Sequence, residues 1–318
     1  MKNLITRTIF GALFVIIMVG GIVWRADTFI LLFAIITGMT LWEYSGLINK
    51  VNSAIERDQS DAGISSAERE QSRINSFSDI VINRFISTVA GVYFFLAVAA
   101  YCIGIVDGIV VFVPYIITIM YLFISELYLK HKDPIACWAY TMLGQMYIAL
   151  PFSLINLLAF NEDAIGITYN WLLPLSLFIF LWANDTGAYC VGSLLGKHRL
   201  FPRVSPKKSW EGSIGGAVLV LLIAYLIGYT NNMTVLDADK QPALFSATLS
   251  IIEWMGLGAV VVVFGTWGDL VESLLKRTLG IKDSGNIIPG HGGMLDRFDS
   301  SLLAIPAAVV YLYTIAMV

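Results

Sequence analysis

Charge is scarce in this chain. Only 14% of its 318 residues are Asp, Glu, Lys or Arg, while 57% are hydrophobic. A mean hydropathy of +0.76 excludes an ordinary water-soluble domain, whose helices turn polar faces outward. Cysteine is scarce too: Cys102, Cys137 and Cys190 lie far apart in or beside apolar runs. That spacing excludes a disulfide framework and points to packing rather than a thiolate metal site. No small-residue cleavage pattern follows the first apolar run, so it is expected to remain as a spanning helix. No repeat of roughly 20 to 50 residues is evident, which argues against a solenoid or a duplicated transporter. The net charge of −3 and a pI near 5.6 leave no bulk charge for binding nucleic acid.

What the chain has instead is apolar runs long enough to span, at about 4–24, 28–48, 84–104, 108–129, 136–160, 171–193, 212–230, 250–277 and 298–317. The expected fold is an all-α polytopic integral membrane bundle of about nine helices. It divides into an N-terminal helix pair (1–48), a polar cytoplasmic connector (49–83), middle helices (84–170) and a C-terminal catalytic membrane region (171–318). With a cytoplasmic N-terminus, only Arg25 and Lys240 of the 20 Lys and Arg fall outside, as positive-inside topology demands. The connector is rich in Ser, Asp, Glu, Gln and Arg and reads as solvated. Apolar residues at helical spacing from Ile64 to Phe85 suggest that part of it lies as an interfacial helix or extends the third span.

Polar residues collect at two places, both on the inner side. The sixth run contains Asn184 and Asp185, on the order of 12 Å inside the helix end. A carboxylate there costs roughly 2.5 to 3.5 kcal/mol unless it faces a wet, protein-lined cavity. The pair therefore reads as a cavity wall, with a helix–helix hydrogen bond as the alternative. Next, Gly192-x-x-x-Gly196-Lys197 is one residue short of a P-loop and has His198 where Ser or Thr would hold magnesium, so that motif is rejected. What remains is a cationic loop. Lys197, Lys207 and Lys208 either meet a polyphosphate or only fix topology, while Ser209 caps the next helix and Glu211 complements its positive end.

In the eighth run Asp269, Glu272, Ser273 and Lys276 recur at i, i+3, i+4 and i+7 and share a face. A charged stripe in a membrane helix is expected to point inward, into a site or into salt bridges that hold the bundle together. Pro289-Gly-His-Gly-Gly293 gives a backbone able to approach a ligand closely, with His291 as a turn residue or outer donor. Asp296 and Asp299 share a face of the last helix. With Asp269 they offer hard oxygen ligands suited to magnesium, which takes one or two carboxylates plus phosphate oxygens.

Over 27 consecutive residues, Ser273 to Asp299 resembles the signature of the phosphatidate cytidylyltransferases, or CDP-diacylglycerol synthases. The matching positions are Ser273, Lys276-Arg277, Lys282-Asp283, Pro289, His291-Gly-Gly293, Asp296-Arg297 and Asp299. Asn184-Asp185, Gly196-Lys197, Ser205 to Gly212 and Gly268-Asp269 are similar as well, so the resemblance covers most of residues 180–300. The first half is similar only as generic spans, including Trp42-Glu43. The resemblance implies that CTP and phosphatidate give CDP-diacylglycerol and pyrophosphate, with Mg2+ and room for a second cation. It also implies a homodimer among membrane lipids, in a bacterial cytoplasmic (inner) membrane with the site facing the cytoplasm.

The roles expected on this reading are as follows. Asp269, Asp296, Asp299, Lys276 and Arg297 carry the chemistry, with Asp269 and Asp296 on the metal and Asp299 as a third ligand or second-ion site. Asn184, Asp185, Lys197, Lys207, Lys208, Glu211, Ser273, Arg277, Lys282, Asp283, His291, Gly292 and Gly293 contact substrates. A phosphate monoester is largely ionised at neutral pH and needs little help from a base. Bringing two anions together does need cations in a low-dielectric cleft. A CTP-dependent polyprenol kinase and an ion transporter are the competing readings; the CDP-alcohol phosphotransferase pattern is absent.

Overall fold

The computed structural model describes residues 2–61, 82–106, 108–129, 131, 133–163, 166–236, 249–285 and 292–316. The expected interfacial helix in the connector falls mostly outside the described residues, and His291 falls outside them altogether.

The helices are α1 (Lys2–Val23), α2 (Ala26–Asp61), α3 (Arg84–Cys102) and α4 (Val113–Leu129), the last entered through a 3-10 turn at Ile109–Phe112. The fifth pass is segmented into α5 (Pro134–Gly144), a π-helical turn (Gln145–Ala149), α6 (Leu150–Leu154) and α7 (Asn156–Ala159). After the hairpin β1 (Phe160–Asp163) and β2 (Gly166–Tyr169) comes α8 (Leu172–Leu195). A second hairpin, β3 (Arg199–Phe201) and β4 (Ser205–Ser209), leads to α9 (Trp210–Leu236), α10 (Ile251–Thr278) and α11 (Leu295–Ala316). Both hairpins are antiparallel, and neither was expected.

Seven helices among the described residues are long and apolar enough to cross a membrane. The other two expected spans are α1, whose apolar part is Thr8–Val23, and α8, which is diluted by its polar turn at Asn184-Asp185. The chain is an all-α polytopic membrane protein. α2 runs past its apolar end at 48 through Asp61, because residues 49–61 hold no Gly or Pro to stop it.

Successive loops alternate between the two ends of the bundle. At one end the Tyr169 hydroxyl donates to Ile22 O at 2.5 Å, joining the β1–β2 hairpin to the α1–α2 turn. At the other, Asn49 Nδ2 donates to Ile82 O (3.0 Å) and Ile82 N to Asn49 Oδ1 (2.8 Å). At the α4–α5 turn, His131 Nδ1 lies 2.7 Å from Glu126 Oε2 and 3.8 Å from Cys137 Sγ. Cys137 therefore sits in a polar staple as well as in the core.

Glycines set how closely the C-terminal helices pack. A Cβ on Gly187 of α8 would lie 2.9 Å from Gly215 O and from Gly216 Cα of α9, and one on Gly268 of α10 would lie 2.6 Å from Asp299 O of α11. Backbones this close leave the polar side chains beside them facing one another. Below them, Phe298 of α11 meets Phe14, Phe152 and Phe178 at ring-centroid distances of 5.8, 5.5 and 6.2 Å. Such pairs contribute about 0.5–1.5 kcal/mol each beyond burial. Anchoring Phe298 fixes the azimuth of α11, so Asp296, Arg297 and Asp299 turn away from the core.

Candidate active site

The β3–β4 hairpin folds the cationic loop back over the end of α8. Ser209 caps α9 as expected, its hydroxyl accepting from Gly212 N at 3.2 Å. This registers β4 so that Lys208 Nζ reaches Asp269 Oδ2 at 2.6 Å. Asp269 also accepts from Ser273 Oγ one turn on, at 3.1 Å.

Two cavities meet at this contact. The first, about 520 Å³, is lined by Asn184, Asp185, Tyr189, Gly192, Gly196, Arg199, Lys207, Lys208, Ser209 and Thr266 among others. The second, about 380 Å³, is walled on one side by Phe10, Phe14, Val15 and Trp182 and on the other by Asp185, Asp269, Asp296, Arg297 and Asp299. Asp185 lines both. Asn184 lines the first and also donates to Thr266 Oγ1 at 3.4 Å, so the cavity-wall reading and the helix–helix reading both hold for it.

Lys276 is held in a separate knot beside the second cavity. Its Nζ lies 2.5 Å from Glu272 Oε2 and 2.7 Å from Asp296 Oδ1. Glu272 is fully buried. Asp296 Oδ2 accepts from Ser284 N (2.9 Å) and Gly293 N (2.8 Å), so both its oxygens are engaged. Gly292, at φ +83°, makes the left-handed turn that brings these amides round. Asp299 accepts from Ser300 N at 2.5 Å. Among the described residues neither Asp185 nor Asp299 has a Lys, Arg or His at ion-pair distance, although both lie in the field of Asp269.

Five carboxylates, Asp185, Asp269, Glu272, Asp296 and Asp299, thus share this region with Lys208, Lys276 and Arg297. That excess of negative charge in a low-dielectric setting suits an added cation.

The other expected site residues lie further out. Arg277, Lys282 and Asp283 are exposed and line neither cavity. Lys197 is exposed, and its backbone N donates to Glu211 Oε2 at 3.2 Å. Glu211 also meets His198 Nδ1 at 2.6 Å and braces the loop rather than lining a cavity. Two site neighbours received no role from the sequence. Glu43 of α2 is buried against Ser284, Met294 and Leu295; the rule that marked Asp185, a carboxylate inside an apolar run, would have given it a role. Tyr147, on the π-helical turn, has a buried hydroxyl with no hydrogen-bond partner among the described residues and sits in the field of Asp299, Glu272 and Asp269. No pattern in the sequence marks it.

The model of the cytidylyltransferase family matches residues 62–315. A phosphatidate cytidylyltransferase of Haemophilus influenzae is 44% identical over 135 residues, 42% of this chain and 43% of that protein. One of Bacillus subtilis is 40% identical over 146 residues, 46% of this chain and 48% of that protein. The matched segment spans less than half the length of either relative.

Proposed function

Because the chain belongs to the cytidylyltransferase family, we propose that it transfers the cytidylyl group of CTP to phosphatidate. The observation that carries this reading is the pair of cavities sharing Asp185 beside the Lys208–Asp269 contact. The first cavity, with its glycines and Arg199, Lys207 and Lys208, has the chemistry of a triphosphate site. The second joins an aromatic wall from α1 and α8 to Arg297, which suits a phosphate headgroup bearing acyl chains. A phosphate oxygen of the lipid attacks the α-phosphorus of CTP; the new P–O bond forms as the α–β bond breaks and pyrophosphate leaves. Arg199, Lys207 and Lys208 bind the departing phosphates, and Arg297 orients the attacking one. Lys276 keeps Asp296 in place and neutralises Glu272.

Asp269 and Asp299, with Asp185 beside them, are the residues that would hold magnesium, and the carboxylate excess supports that assignment; Asp296, whose oxygens accept from Lys276, Ser284 N and Gly293 N, would join them only on releasing Lys276. When bound, the ion would neutralise phosphoryl oxygens and draw the two anions together. The cationic loop ends support a cytoplasm-facing site in a bacterial inner membrane, and a homodimer remains part of the reading.

The test is detergent-solubilised protein given labelled CTP and phosphatidate, with and without magnesium. Lipid-bound cytidine with equimolar pyrophosphate, abolished by a chelator, is the expected result. Release of CDP with a polyprenol acceptor would make it a kinase, and ion flux without nucleotide would make it a transporter.

A further inference from the structure

We propose that Glu43 is a positioning residue of this active site. The proposal rests on the cytidylyltransferase reading above. Glu43 is 6% exposed and lies in the apolar run of α2. Its Oε1 accepts from Ser284 Oγ at 2.5 Å and Leu295 N at 3.1 Å, and its Oε2 accepts from Met294 N at 2.8 Å. No Lys, Arg or His lies at ion-pair distance among the described residues.

A buried carboxylate without a cation is stable only where several donors replace water. Here the donors are a hydroxyl and two amides at the N-terminal end of α11, the end that carries partial positive charge. Glu43 thus caps a helix about 250 residues away in the chain, where the intervals to Met294 and Leu295 are 251 and 252.

The cap reaches the catalytic carboxylates through one side chain. Ser284 Oγ, while donating to Glu43, accepts from Asp296 N at 3.3 Å, and Ser284 N donates to Asp296 Oδ2 at 2.9 Å. Glu43 therefore fixes both the start of α11 and Ser284, which holds Asp296 beside Lys276. Its own base is rigid. Arg84 Nε donates to Trp42 O at 2.7 Å, with the guanidinium 3.9 Å above the Trp42 ring. The Tyr44 hydroxyl donates to Tyr140 O at 2.9 Å. Residues on either side of Glu43 are tied to α3 and α5, so the carboxylate is a fixed post.

The glycines around it agree. A Cβ on Gly285 would lie 2.7 Å from Glu43 Oε2, and one on Gly293 would collide with Glu43 Oε1 and Ser284 Oγ. In this structure the open side of Gly293, expected to face substrate, is filled by Glu43.

The experiment is steady-state kinetics on purified full-length Glu43→Gln and Ser284→Ala beside wild type, normalised to the folded fraction from thermal unfolding in detergent. Glutamine keeps the shape but turns an N–H2 toward a backbone donor. Its kcat per folded molecule is expected to fall about 100-fold, with KM for CTP within about three-fold. Ser284→Ala keeps both amide contacts of Glu43 and is expected to lose about 10-fold in kcat, which preserves the test if Glu43→Gln does not fold. Native kcat per folded molecule in the folded variants, with only a lower unfolding temperature, would make Glu43 a structural cap and overturn the proposal. Transfer absent from wild type would instead sink the enzyme reading and the positioning role with it.

Discussion

Lys208 Nζ lies 2.6 Å from Asp269 Oδ2, joining the hairpin that carries the cationic loop to the helix that carries the acidic stripe. Their side chains are 25% and 28% exposed, so the contact is open enough to be exchanged for phosphate and metal. Replacing Lys208 by Gln should lower kcat/KM for CTP by about 10² to 10³, the range for one preorganised electrostatic partner. Initial-rate measurement of lipid-bound cytidine checks it.

Asp299 should separate function from stability. It sits beside Asp269 and Asp185 with no ion-pair partner among the described residues, so Asp299→Asn removes like-charge repulsion from the metal-free protein. The variant is expected to lose at least about 100-fold in transfer while unfolding about 2–4 °C higher in detergent.

Lys276 neutralises the fully buried Glu272. Lys276→Met strands that carboxylate and should cost about 3–5 kcal/mol. Adding Glu272→Met removes the stranded charge, so the double variant is expected to be more stable than the single one. Denaturant or thermal unfolding of both in one detergent gives the comparison.

The α8–α9 contact should be intolerant of a methyl group. A Cβ on Gly216 would lie 2.7 Å from Asn184 O, and backbone cannot step aside as a flexible side-chain tip can. Gly216→Ala should destabilise by about 1–3 kcal/mol. Gly20→Ala in α1, where nothing lies within 4 Å, should be neutral or slightly stabilising through helix propensity.

The spans and the polar clusters were legible because each is local. A run of about 20 apolar residues announces a membrane helix, and a carboxylate inside one is costly enough to need a reason. The spacing of Asp269, Glu272, Ser273 and Lys276 placed them on one face before any partner was known. The β3–β4 hairpin was harder to see, since Ser205-Pro-Lys-Lys-Ser209 lacks alternating hydrophobicity, and its pairing depends on docking over α8.

By itself, the amino-acid order determined the solvent of this protein, the rough number of its helices and the residue types of its site, all properties of short windows of chain. Tertiary structure alone decided which carboxylates face one another and which are already engaged by protein donors. It took Lys276 into a knot with Glu272 and Asp296, left Asp185 and Asp299 without an ion-pair partner among the described residues, and brought Glu43 under the start of α11. The reason is that helix periodicity sets which residues share a face but not which faces meet. That depends on where glycine lets backbones close and where Phe298 packs.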